Sequence, residues 1–372
     1  MRRAPPLAEW RRHPVISATA FLAAATTLAW WAGADVSLML QTPELRNGQL
    51  WRLLTGCLLH GNVLHLVFNL YWLWVFGTLV ESRLGPLRTA AILLYLAAGS
   101  AAAEYAFLEG GVGLSGVVYG LFGMLWVLGR RDWRFAGAVD QNTVVLFVVW
   151  FFLCIGMTLS GTLPIANIAH GAGAVLGAGV GLGLCRGAVG RRLVFVGLAI
   201  VLAAGLFFST RGRRYVNLSS SGEEPALVGY EALVGKDWAQ AERWFSIAVR
   251  RSPAHPGYWF NLAIALDAQG RHDEALAAYE RAYQRTNDRE IRAGYEMALA
   301  AAAGRALADG RAEKAEQLYE RLVELHPQEP RFWFALGAAR LQLGREAEAA
   351  AAFAQGQRQG AERGPQTRPA PP

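Results

Sequence analysis

Cysteine is scarce in this chain. Cys57, Cys154 and Cys185 form an odd, scattered set, which excludes a disulfide framework and gives no metal-ligand spacing. They read as small buried hydrophobes. Carboxylates are thin in the first half: residues 1–209 hold 8 acidic residues and 14 Arg, leaving 21 acidic and 22 basic residues for 210–372. The net charge of +7 is therefore mostly a property of the loops in an apolar half. No basic stripe with interleaved aromatics accompanies it, so nucleic acid is not an expected partner. Nor is a cleavable leader expected. The apolar stretch 14–34 is about twice as long as a signal-peptide core, and more of the same follows it.

What the first half does have is long hydrophobic runs. A spanning helix needs roughly 20 apolar residues, and candidates fall at about 14–33, 61–80, 89–108, 113–129, 142–159, 165–185 and 193–209. Arginines mark the breaks. Arg2, Arg3, Arg11 and Arg12 precede the first run and are expected to hold the N-terminus in the cytoplasm. Alternating sides then puts the Arg-rich loops 83–88, 130–134 and 186–192 inside as well, so hydropathy and the positive-inside rule agree through six spans. The segment 34–60 becomes a long external loop at the membrane interface. A seventh span would place the remainder of the chain outside, against the pull of Arg211, Arg213 and Arg214 at its far end.

From about residue 222 the pattern becomes a repeat. A 34-residue spacing aligns Ala241, Phe245, Ala248 and Pro253 with Ala275, Tyr279, Ala282 and Asn287. After a six-residue insertion it continues through Ala315, Tyr319, Leu322 and Pro327 to Ala349, Phe353 and Gly356. Two units open on Trp259-x-x-Leu262-Ala263 and Trp333-x-x-Leu336-Gly337. This resembles tetratricopeptide (TPR) repeats, four of them over 222–360, whose small residues let paired helices approach while the aromatic fills the gap to the next. The Pro-, Arg- and Gln-rich tail 361–372 is expected to be disordered.

Polar groups at membrane depth are costly and need a reason. Gly113-Leu114-Ser115-Gly116 opens the fourth run, its glycines allowing a tight bend that exposes the serine oxygen. A nucleophile needs a base, and the sixth run supplies Ala169-His170-Gly171-Ala172-Gly173. Gly173, Gly177 and Gly181 form one small-residue ridge and Gly116, Gly120 and Gly123 another; packing them together would bring His170 to Ser115. No carboxylate lies between Gln141 and Cys185, so the expectation is a dyad, its imidazole oriented by packing or a backbone carbonyl. His65 and Asn69, four apart, share a helix face and suit a developing oxyanion. A zinc site would want His-Glu-x-x-His or a third ligand, and no acidic residue stands near; neither a metal nor a cofactor is expected.

Taken together, His60-x-x-x-x-His65-x-x-x-Asn69, Gly-Leu-Ser-Gly at 113–116 and Ala-His-x-x-Gly-x-x-x-Gly at 169–177 resemble the rhomboid proteases, in the family's order. Trp51-Arg52 and Glu81-Ser82-Arg83-Leu84-Gly85 are similar to further rhomboid motifs. The resemblance implies Ser115 as nucleophile, His170 as general base and acid, and an oxyanion hole of the Ser115 N–H, His65 and Asn69. It implies His60 as a supporting hydrogen-bonding residue, Tyr119 packed on His170, and Asn167 near the site. Arg52, Glu81 and Arg83 are expected to form a structural ionic network.

The expected molecule is all-α. A cytoplasmic segment (1–13) precedes a six-helix rhomboid core (14–186) and an additional transmembrane helix (187–209). A linker (210–221) then leads to a TPR α-solenoid (222–360) and the tail. The resemblance implies a serine endopeptidase in the bacterial inner membrane, cutting transmembrane protein substrates, with a protein partner or substrate on the TPR groove. Two other classes stay open: a catalytically inactive rhomboid-like binder, and a membrane-anchored TPR scaffold.

Overall fold

The computed structural model describes residues 5–363, and among these there are seventeen α-helices and no strand. Arg2, Arg3 and the tail beyond Arg363 lie outside the described residues; 361–363 belong to the last helix. The chain divides into two compact units between Ser219 and Ser220.

The first unit opens with α1 (Pro14–Trp31). A loop carrying the one-turn α2 (Arg52–Thr55) leads to α3 (Val63–Leu84), α4 (Pro86–Phe107), α5 (Ser115–Arg131), α6 (Gln141–Leu159), α7 (Asn167–Leu184) and α8 (Ala188–Ser209). Six of these, α1, α3, α4, α6, α7 and α8, are long and apolar enough to cross a membrane. The remaining expected span, the fourth along the chain, is α5, only 17 residues long. It is walled by α3, α4 and α7, so protein rather than lipid surrounds most of it. By contrast α8 buries little but Ser209, as an outer helix whose apolar side chains face lipid would.

Of these helices only α3 and α6 begin with a side-chain cap of their own. The first turn of any helix leaves N–H groups unpaired, and for α1 the missing acceptor comes from α3. The Glu81 carboxylate, buried in the bundle, accepts the N–H groups of Val15 and Ile16 at 3.0 Å each. The ionic network expected of Arg52, Glu81 and Arg83 does not form, because these groups are spent on backbone or solvent. Arg52 donates to the Ser37 and Leu40 carbonyls and the Gln49 side chain, organising the long loop. Arg83 is exposed.

The segment expected as a linker is partly structured. The short α9 (Arg213–Val216) follows α8, and Arg213 is buried against the end of α4. Its guanidinium donates to the carbonyls of Tyr105 at 2.7 Å and Leu108 at 2.6 Å, 4.2 Å above the Tyr105 ring. A cation there meets the carbonyl-rich, negative end of a helix. Leu218 adds a backbone bond to the Phe107 carbonyl. The C-terminal ends of α4 and α8 therefore lie on one face of the bundle.

The second unit is four helix pairs: α10 (Glu223–Val234) with α11 (Trp238–Arg251), α12 (Pro256–Ala268) with α13 (His272–Tyr283), α14 (Arg289–Ala308) with α15 (Ala312–Leu325), and α16 (Pro330–Gln342) with α17 (Glu346–Arg363). The repeat positions Ala241, Phe245, Ala275, Tyr279, Ala315 and Tyr319 line its core. The six-residue insertion lengthens α14 to 20 residues, against 13 in α12 and α16. Trp259 and Trp333 each donate an indole N–H to the proline carbonyl six residues back, Pro253 or Pro327, which ties the two halves of the repeat motif together.

Candidate active site

Ser115 is the first residue of α5, and the chain reaches it through Gly113 at φ +110°, a conformation glycine adopts at no steric cost. A Cβ on Gly113 would come within 2.5 Å of the His65 ring and 3.6 Å of Asn69 Nδ2. The bare glycine thus lets the serine loop lie flat on the α3 face that carries both residues. His60 fastens the same loop. Its Nε2 accepts the Leu114 N–H at 3.3 Å, while its Nδ1 stands 3.2 Å from the Leu58 carbonyl and 3.3 Å from Thr27 Oγ1. A carbonyl can only accept, so the tautomer that satisfies both ends is neutral and protonated on Nδ1.

The base arrives on α7 because α5 and α7 touch backbone to backbone. A Cβ on Gly173 would run into the Gly116 carbonyl, one on Gly177 into the Gly120 carbonyl, and one on Gly123 into the Ala174 carbonyl. That approach sets His170 Nε2 2.8 Å from Ser115 Oγ, within hydrogen-bond reach. The imidazole stacks on Tyr119, ring centroids 4.7 Å apart and 19° from parallel, and Tyr119 is itself anchored by its hydroxyl on the Phe147 carbonyl. His170 Nδ1 has no hydrogen-bond partner among the described residues. Stacking, rather than a carboxylate or a carbonyl, holds the ring.

The other expected site residues separate into two groups. Asn69 is buried, and one amide hydrogen goes to the His65 carbonyl at 3.0 Å, which leaves the second uncommitted. His65 packs edge-on against His60, centroids 4.9 Å apart. Asn167 is on the helix of the base but turns toward α6, donating to Thr158 Oγ1 at 2.8 Å, so it ties the α6–α7 connection. No group of three potential metal ligands occurs among the described residues.

One carboxylate does reach α7, from outside the 141–185 stretch. Glu104 on α4, buried, accepts the Ala169 N–H at 2.8 Å and lines the same small cleft as Cys57, Ser100, Gly113 and Ser115. The signal was an acid inside a membrane span, which needs a partner to be tolerated; its distance from His170 in sequence hid which partner it had.

The fold and cleft define a polytopic helical membrane protein with a serine and a histidine paired at the mouth of its central helix. Comparison with known families gives the particular kind: residues 47–187 match the Rhomboid domain, and residues 229–290 and 306–366 match two tetratricopeptide repeat families. The chain thus carries a Rhomboid domain followed by a TPR region, and that domain with the apolar helices around it supports an integral multi-pass membrane protein. Among solved structures it is similar to a crystal structure of MamA protein, at 16% identity and TM-score 0.31, covering 54% of this chain and 100% of that one. It is also similar to MamA MSR-1 C2, at 14% identity and TM-score 0.17, covering 67% of this chain and 99% of that one.

Proposed function

We propose that the protein is an intramembrane serine endopeptidase that hydrolyses peptide bonds in or beside transmembrane segments of other membrane proteins. The observation that carries this reading is the 2.8 Å contact between His170 Nε2 and Ser115 Oγ. Ser115 Oγ attacks the scissile carbonyl as His170 Nε2 takes its proton. The carbonyl oxygen, now an anion, faces the Ser115 N–H at the positive start of α5, with His65 and the free Asn69 hydrogen as further donors. His170 then protonates the departing amine, and the C–N bond breaks to leave an acyl-Ser115. Water, activated by the same imidazole, releases the acid and restores the serine.

Seven crossings from a cytoplasmic N-terminus put Ser115, at the start of α5, on the external face of a bacterial inner membrane. The chain leaves the bundle on that face, where Arg213 sits on the end of α4. We read the TPR region as the binder of a protein partner or substrate, dispensable for the chemistry.

The test is cleavage of a transmembrane test substrate by the purified protein in detergent. Ser115→Ala and His170→Ala should each abolish it at equal expression and normal extraction. A serine-directed fluorophosphonate should label Ser115, and EDTA should change nothing. Appreciable cleavage by either variant overturns the dyad, and EDTA inhibition would point to a metal.

A further inference from the structure

The helix that carries His170 starts on Ala166 without a side-chain cap, and its first turn is half-buried at Asn167 and Ile168 and buried at Ala169 and His170. An unpaired N–H there is costly to bury. The acceptor comes from α4: Glu104 Oε2 takes the Ala169 N–H at 2.8 Å, with the Ile168 amide beside it. Ala169 is the residue immediately before His170. The carboxylate is 2% exposed and stands at the positive end of α7, where an anion is favoured. It makes no hydrogen bond to the His170 side chain, whose Nδ1 is without a partner among the described residues, so any influence on the imidazole passes through the backbone.

We propose that Glu104 is a positioning residue: by capping the first turn of α7 from a neighbouring helix, it fixes where the His170 imidazole meets Ser115. This rests on the protease reading above. The bundle holds its own control, because Glu81 caps α1 in the same manner through Val15 and Ile16, while no residue of α1's first turn belongs to the site. If capping only stabilised helices, removing either carboxylate would cost stability alone. If Glu104 also places the base, its removal costs turnover.

The experiment measures kcat per fluorophosphonate-titrated site, and KM, on the full chain with the transmembrane test substrate. Glu104→Ala should lower kcat by about 10-fold to 100-fold, the order expected when a reacting group is displaced by ~1 Å, with KM essentially unchanged. Glu104→Gln keeps an acceptor oxygen and should recover most of the loss. Glu81→Ala should lower the unfolding temperature and leave kcat per site intact. Should Glu104→Ala fail to fold, Glu104→Met fills similar volume without an acceptor and stands in under the same criterion. The proposal is overturned if kcat per site is unchanged, if Glu104→Gln is as slow as the variant without an acceptor, or if Glu81→Ala is equally slow. A wild type with no Ser115-dependent cleavage would instead sink the protease reading itself.

Discussion

At Gly177 an added methyl group would run into the carbonyl oxygen of Gly120 on the facing helix, whereas Gly156 and Gly197 have nothing within 4 Å of that position. Rigid backbone cannot yield as a side chain tip can, so Gly177→Ala must push α5 and α7 apart. We expect a loss of roughly 1–3 kcal/mol, the usual cost of overpacking, seen as a lower unfolding temperature in detergent. Turnover should fall with it, because that interface sets the Ser115–His170 distance. Gly156→Ala and Gly197→Ala should behave as wild type in both assays; if they fall as far as Gly177→Ala, the backbone contact is not the cause. The ridge itself could be read from the sequence, since small residues four apart announce close helix packing. The cap on α7 could not, because Glu104 and Ala169 are brought together only by the fold. The same holds for His60, whose motif position was plain but whose bond to the Leu114 N–H depends on the loop geometry.

The helices of the repeat region end in a recurring way. Gly270, Gly310 and Gly344 sit just past the first helix of their pairs, all with positive φ, 79°, 72° and 73°. The matching position in the first pair, 34 residues before Gly270, is Lys236, with φ 58°. A residue with a Cβ pays about 1–2 kcal/mol to stand in the left-handed region. Lys236→Gly should therefore raise the unfolding temperature of the repeat region, while Gly270→Ala lowers it by a comparable amount. An unchanged or lowered midpoint in Lys236→Gly would mean that the lysine side chain contributes more than its strain costs. At this scale the sequence was highly legible. The period placed every pair, because aromatic and small residues must recur where each pair meets its neighbour. What it could not show was where the six-residue insertion went, since a longer α14 and a longer loop leave the same spacing.

The fate of residues 210–219 bears on the whole molecule. Three arginines after the last crossing, Arg211, Arg213 and Arg214, pull against an external C-terminal half by the positive-inside rule. Arg213, however, is not a free charge at the interface: it is buried, and its guanidinium is committed to the Tyr105 and Leu108 carbonyls. That leaves Arg211 and Arg214 exposed, against eight arginines in the three loops expected inside. The balance favours seven crossings. An alkaline phosphatase fusion near residue 220 should then be active, and a fluorescent GFP fusion there with a silent phosphatase would reverse the assignment. The same bonds decide where the repeat region can be removed. A chain cut after Ser219 keeps Arg213, Asn217 and Leu218 on the end of α4, and should cleave a generic transmembrane substrate at the full rate while losing preference among natural ones. A cut after Thr210 strips those contacts, and hydrogen bonds from a charged group are each worth about 1.5–3 kcal/mol. The shorter chain should unfold at a lower temperature and lose turnover, because the end of α4 that loses its clamp also carries Glu104. Equal stability and turnover in the two truncations would show that the segment is only a tether.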